Sequence, residues 1–226
     1  MKLKNEKKVM NIFVEKDNDL RPLLMKPFHN TKDNGRVWAS DGHKLLIVDP
    51  SLLRCKYGEG SLGTTIPVDK KNCDETVSVE AMREAYMKIP LEDEYVIEEG
   101  EEIECEECDG EGEVEWEYTD SNGHTYYEVH DCPVCDGTGE CNEQKKVKTG
   151  RKIPARFSII DFGGATFSAR IINDICDALD LLGIKEIHHV VKSPNQMNLF
   201  EVMDGVQIII MPALGAVDSP VSQLRI

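Results

Sequence analysis

The chain of 226 residues contains no apolar run near the ~20 residues that a membrane-spanning helix needs, so no such helix is expected. It is poor in positive charge: 26 Lys and Arg stand against 42 Asp and Glu, for a formal net charge of −16. A non-specific nucleic-acid coat needs clustered Lys and Arg to meet phosphates, and is therefore excluded. A local basic surface is not, because much of the negative charge lies between Glu92 and Glu117. The Lys-rich start, Met1 to Val9, is not followed by the apolar stretch of a secretory signal. The expected location is the cytoplasm, where the eight cysteines stay reduced and paired CxxC spacing reads as metal ligation before disulfides.

Catalytic signatures are also missing. There is no G-x-S-x-G elbow, no H-E-x-x-H helix and no phosphate-cradling glycine loop; Gly163-Gly164 lacks a Walker lysine and reads as a turn. His188 and His189 are neighbours on an expected strand and so face opposite sides. Lone Cys55, Cys73 and Cys176 read as packing or surface thiols, and the carboxylates of Glu98 to Glu117 as a solvated acidic face. Nothing points to an enzyme.

What is present is an ordinary globular balance, 40% apolar and 30% charged. Strands are expected at Val9–Glu15, Arg36–Ala39, Leu45–Val48, Val77–Val79, Tyr95–Ile103, Phe157–Phe162, Glu186–Val191, Met197–Val202 and Val206–Met211. The Asp41-Gly42 pair suits a tight hairpin turn, and Gly58 to Gly63 a flexible loop. Helices are expected at Leu20–Met25 behind an Asp19 cap, at Glu80–Ile89, and from the Ser168 cap to Leu182, where Gly183 is a natural stop. The tail after Leu214 reads as loose. The sum is an α+β protein of short helices on antiparallel sheet, with a first part at 1–104, an insertion at 105–141 and a second part at 142–226.

The insertion reads Cys105-Glu-Glu-Cys108-Asp-Gly-Glu-Gly112 and then Cys132-Pro-Val-Cys135-Asp-Gly-Thr-Gly139. Two CxxC knuckles supply four thiolates for one tetrahedral, closed zinc site, which is structural because no position is left for water. A segment so rich in Glu, Gly and Asp cannot bury a core, and a structural zinc supplies about 10–16 kcal/mol toward folding it. His124, His130 and Cys141 are alternative ligands. The doubled CxxCxGxG pattern resembles the zinc repeats of DnaJ-type co-chaperones over Cys105 to Gly139, with two repeats where that family has four. No His-Pro-Asp tripeptide accompanies it, so only the knuckle pair carries over, with a protein-binding face as its implied use.

Outside the insertion, two separated segments resemble bacterial DNA sliding clamps. Ala39-Ser-Asp-Gly-His-Lys-Leu-Leu46 is similar to that family's T-D-G-H-R-L-A hairpin, and Ile209-Ile-Met-Pro-Ala-Leu214 to its terminal V-M-P-M-R-L strand. Asn11–Glu15 with Leu20–Leu23 resembles its first strand and helix, and Ser168–Leu182 with three following strands its last half-domain. The resemblance implies a clamp-like fold, self-association into homo-oligomers, and one pocket for short linear motifs of protein partners. That pocket would be built from Gly42, His43, Lys44, Leu45, Met211, Pro212 and Ala213. DNA contact is a weaker implication, because the polar face of the 168–182 helix carries Asn173, Asp174, Asp177 and Asp180, which repel phosphate. Two other roles are open. One is a zinc-dependent adaptor; the other is a clamp client, since Gln196–Phe200 resembles the Q-L-x-L-F peptide that clamps bind.

Overall fold

Glu6, Val9, Met10 and Phe13 recur at three- and four-residue spacing, and they are the buried residues of helix α1 (Glu6–Phe13). Val9–Phe13 of the expected strand Val9–Glu15 is thus helical, because the helical stripe that includes Glu6 outweighs the weak alternation of Met10, Ile12 and Val14. The first-strand resemblance of Asn11–Glu15 is corrected with it. The computed structural model describes residues 2–16, 20–63, 66, 71–213 and 220–224. Pro22–Met25 forms a 3-10 turn in place of the expected α-helix, and its expected cap Asp19 lies outside the described residues.

The chain divides into two compact units, Met1–Glu92 with Pro154–Ile226, and Asp93–Ile153. The first unit holds β1 (Phe28–Asn30), β2 (Val37–Ser40), β3 (Lys44–Val48), β4 (Gly58–Gly60), β5 (Glu75–Ser78) and α2 (Val79–Met87). Ser78 caps α2 by accepting the Ala81 N–H at 3.1 Å. Strands β6 (Leu91–Glu104), β7 (Glu113–Thr119), β8 (Thr125–Asp131) and β9 (Glu140–Pro154) make two ribbons, β6 with β9 and β7 with β8. Then follow β10 (Ile159–Asp161), β11 (Thr166–Ser168), α3 (Ala169–Leu182), β12 (Glu186–Val191), β13 (Asn198–Met203), β14 (Val206–Ile210) and β15 (Val221–Gln223). Ser168 occupies the cap position of α3 without making a side-chain cap, and Gly183 closes the helix in the left-handed conformation. The expected loose tail includes a strand: β15 lies parallel to β10. Gly58–Gly60, expected as loop, pairs with β1.

The main sheet runs β4-β1-β2-β3-β14-β13-β12-β5, antiparallel except for β1 with β4. Its central strands are buried on both faces, which is why Lys44–Val48 reads as a continuous apolar run after its lysine. Alternation sorts the side chains. Val37, Ala39, Leu46, Val48, Phe200, Ile208 and Ile210 pack with α1, α2 and α3 in the larger core. Trp38, Leu45, Ile47, Leu199 and Ile209 point the other way, into a smaller cluster with Val191 and Phe28. That second face carries a cavity. No helix among the described residues is long and apolar enough to cross a membrane.

Candidate metal centre and binding cavity

Cys105, Cys108, Cys132 and Cys135 are buried, and their sulfurs lie within 4.8 Å of one another. The Cys105–Cys132 and Cys108–Cys135 sulfurs are 3.9 and 3.8 Å apart. A disulfide would bring them to about 2.05 Å, whereas a tetrahedron with metal–sulfur bonds of about 2.3 Å has edges of about 3.8 Å. The two knuckles are related by near-twofold symmetry. Gly112 N–H donates to Cys108 Sγ and Gly139 N–H to Cys135 Sγ, both at 3.2 Å. Cys105 N–H donates to Gly139 O at 2.9 Å, and Cys132 N–H to Gly112 O at 2.7 Å. At this contact only glycine fits: a Cβ on Gly112 would stand 2.4 Å from Gly137 O, and one on Gly139 2.2 Å from Gly110 O.

The thiols are electrostatically matched to a cation. Burial opposes ionisation of Cys105, but the backbone N–H groups of Glu107 and Cys108 outweigh it and bring its thiol down to about 7. Burial and the neighbouring thiols push Cys108 up to about 12. Burial opposes ionisation of Cys135 too, but the Gly139 N–H and the neighbouring thiols hold it below the usual thiol range; four crowded thiolates still need a positive charge among them. The donor set and its spacing therefore suit a metal ion. The two alternative histidines are engaged elsewhere: His124 is exposed against Asp120, and His130 against Glu128. Cys141 is half-buried beside the cluster without joining it.

In the first unit, the register of β14 against β3 pairs Ile209 with Leu45 and Ile210 with Lys44. The strand end therefore reaches the Ser40–Lys44 hairpin, where Met211 N–H donates to His43 O at 2.9 Å. Asp41 shapes the turn, its Oδ1 accepting the N–H groups of His43 and Lys44 at 2.9 Å each. Burial raises the Asp41 pKa, but the bonds from Lys44 outweigh it and hold the carboxyl below the usual carboxylate range. Gly42, His43, Lys44, Leu45 and Met211 all line one cavity of about 1230 Å³, floored by Trp38, Ile209 and Val191 and walled by Leu20–Leu24 and Met197. This exceeds the ~300–1,000 Å³ of ordinary small-molecule sites. Trp38 is fixed in the floor by donating Nε1–H to Asp33 at 2.6 Å.

Pro212 and Ala213 do not reach that cavity. They line a neighbouring one of about 960 Å³ with Ile12, Ile171 and Arg170, and His43, Lys44 and Met211 border both. Lys44 is not a free rim cation: its side chain is 6% exposed, and its ammonium is held between Asp41 and Asp174 of α3. The polar face of α3 is itself engaged, since Arg83 of α2 donates to the Asn173 amide oxygen and to the Asp177 and Asp180 carboxylates. Gln196–Phe200 is not an exposed peptide. Asn198, Leu199 and Phe200 are buried in β13, which pairs on both sides, so the client resemblance fails on burial.

The sequence reading missed the β7–β8 hairpin between the two knuckles. Trp116, Tyr118 and Tyr126 stand on one of its faces, all more than half exposed, with Trp116 against His130 at 5.3 Å. The alternation Val114, Trp116, Tyr118 was the signal for it.

No protein-family model matches the chain, and no curated protein matches it. Among solved structures it aligns with the DNA polymerase III β subunit of Pseudomonas aeruginosa at 12% identity and TM-score 0.39, over 92% of this chain and 65% of that one. The sliding clamp of Caulobacter crescentus aligns at 11% and 0.41, over 94% and 64%. That of Bartonella birtlesii, bound to griselimycin, aligns at 13% and 0.43, over 94% and 65%. The chain spans less than two thirds of each.

Proposed function

We propose that this chain is a clamp-type docking platform that captures short linear peptides in the 1230 Å³ cavity, and that one structural zinc ion organises its four-cysteine centre. The observation that carries the first part is the Met211 N–H to His43 O bond. It joins two segments, far apart in sequence and each similar to a clamp motif, at the mouth of a single apolar cavity. Met197, Met211 and Leu23 offer adaptable apolar contact for leucine and phenylalanine anchors. His43 and Gln196 at the rim offer donors and acceptors for a glutamine or a peptide backbone. Lys44 serves by fixing the hairpin to α3 through Asp174. The sequence resemblance also implies self-association into homo-oligomers; contact with DNA is its weaker implication, because Asp174, Asp177 and Asp180 on α3 repel phosphate.

The test is a fluorescence-polarisation titration with a labelled Q-L-x-L-F peptide, on the native chain and on a His43→Ala/Met211→Ala variant. Saturable binding to the native chain, weakened at least tenfold in the variant, supports the reading. Equal binding, or none at high micromolar protein, removes it. A second reading, an adaptor acting through the zinc module, is favoured by the exposed Trp116, Tyr118 and Tyr126, because large exposed aromatics are the residues interfaces bury. It expects partner capture to be abolished by Trp116→Ala and untouched by the cavity variant.

A further inference from the structure

His189 on β12 is completely buried, and its ring stacks on Phe200 at 4.1 Å. Asn198 fixes its tautomer. The Asn198 Oδ1 atom accepts the Ser193 N–H at 2.9 Å, and its Nδ2 donates to Ser193 O and Gln196 O. The amide orientation is thereby set, so at the 3.0 Å contact with Oδ1 it is His189 Nε2 that donates. Nδ1 then carries a bare lone pair, and it has no hydrogen-bond partner although it is buried. An orphaned buried ring nitrogen is costly unless something uses it.

Its surroundings supply the rest of a ligand set. Glu75 on β5 is the cross-strand partner of His189. Cys73 is held two residues earlier, where the N–H groups of Asn72 and Cys73 both donate to Val190 O. A second clamp fixes the same stretch: Asn72 exchanges hydrogen bonds with the Lys192 backbone at 2.8 and 2.9 Å. The Cys73 sulfur, a Glu75 carboxylate oxygen and a His189 ring nitrogen lie within 4.8 Å of one another. The positive group facing the cluster is the Lys192 ammonium, 2.8 and 2.9 Å from the two Glu75 oxygens.

We infer that Cys73, Glu75 and His189 form a second divalent-metal site, separate from the four-cysteine centre and suited to zinc or a similar borderline cation. One sulfur, one oxygen and one imidazole nitrogen are donors such ions share, and three protein ligands leave a coordination position open. Asn198 is the outer partner that a metal-bound histidine needs for its other N–H. Cys73 gives up its proton to solvent when the metal binds. Lys192 keeps one Glu75 oxygen while the other turns to the ion.

The experiment takes the full chain loaded with one counted equivalent of zinc and titrates it with further Zn²⁺. Bound metal is counted after gel filtration, and alkylation of Cys73 by iodoacetamide is followed by mass spectrometry. The native chain and a Cys55→Ser control should bind one additional equivalent, and metal should slow Cys73 alkylation at least tenfold. Cys73→Ser and Glu75→Gln, both at partly exposed positions, should lose that equivalent while keeping the native urea unfolding transition. No additional equivalent in the native chain, its retention in Cys73→Ser, or unchanged alkylation would each overturn the site.

Discussion

If the four-cysteine centre holds the proposed zinc, removing that ion should unfold the segment around it and leave the first unit folded. The reason is the poverty of its core. Among the described residues of Asp93–Ile153, the buried apolar side chains are the four cysteines themselves, with Val114 and Cys141 packed beside them. Strands β7 and β8 are exposed almost throughout. So little burial cannot offset the conformational entropy of ordering the segment, at roughly 1–2 kcal/mol per residue for backbone alone. A structural zinc contributes about 10–16 kcal/mol, as much as the whole stability of a typical domain, about 5–15 kcal/mol. Chelation, or Cys108→Ser, should therefore abolish amide protection over residues 105–141 in hydrogen exchange read by mass spectrometry. Protection in β3, β13 and β14, which belong to the other compact unit, should change by less than about 0.5 kcal/mol, the additivity expected of independent sites. Gly139→Ala should act in the same direction with all four thiols present, because its Cβ would meet Gly110 O at 2.2 Å. Persistent protection over 105–141 in metal-free protein would show that the segment folds without the ion.

Two further predictions concern the first unit. Lys44→Met leaves Asp41 and Asp174 facing each other without their shared cation, and should lower stability by about 2–3 kcal/mol in urea unfolding. This lies below the cost of a fully buried pair because Asp174 is one-third exposed. Glu6 is buried, which alone would raise its pKa, but donation from the Arg54 and Cys55 N–H groups and the Tyr57 hydroxyl outweighs burial and holds it below the usual glutamate range. A carboxyl depressed on folding adds stability above its unfolded value, and that stability is lost as pH falls through the folded value. Glu6→Gln should thus weaken the protein at pH 7 by about 1–3 kcal/mol and flatten the fall in urea midpoint below about pH 4.5. An unchanged acid slope would remove Glu6 from that account.

Elements with one dominant pattern were legible in the sequence. Ile172, Ile175, Leu179 and Leu182 mark α3 unambiguously, and Gly183 stops it where a left-handed residue is needed. The doubled CxxC spacing placed four sulfurs together because each knuckle is local and the chain need only fold back once. Two neighbouring signals were harder. The α1 stripe depends on counting the charged Glu6 as a buried residue, which becomes intelligible only once Arg54, Cys55 and Tyr57 are seen to satisfy it. The cavity depends on register, since Met211 meets His43 only through the β14–β3 pairing. Local pattern could not separate Met211 from Pro212 and Ala213, which the chain turns toward the neighbouring cavity. The role of Lys44 was equally hidden: Asp174, which neutralises it, belongs to a helix much later in the chain. The Cys73–Glu75–His189 grouping required the β5–β12 pairing, and nothing in either segment announces the other.

The central claim is that the cavity beside His43 and Met211 is the peptide site. It is tested most directly with a Q-L-x-L-F peptide carrying benzophenone at its terminal aromatic position, photo-crosslinked to the native chain and mapped by mass spectrometry. Crosslinks are expected at Leu20–Leu24, Met197 or Met211, suppressed at least tenfold by excess unlabelled peptide. Competable crosslinks confined to residues 105–141 would contradict the claim and assign peptide capture to the metal module.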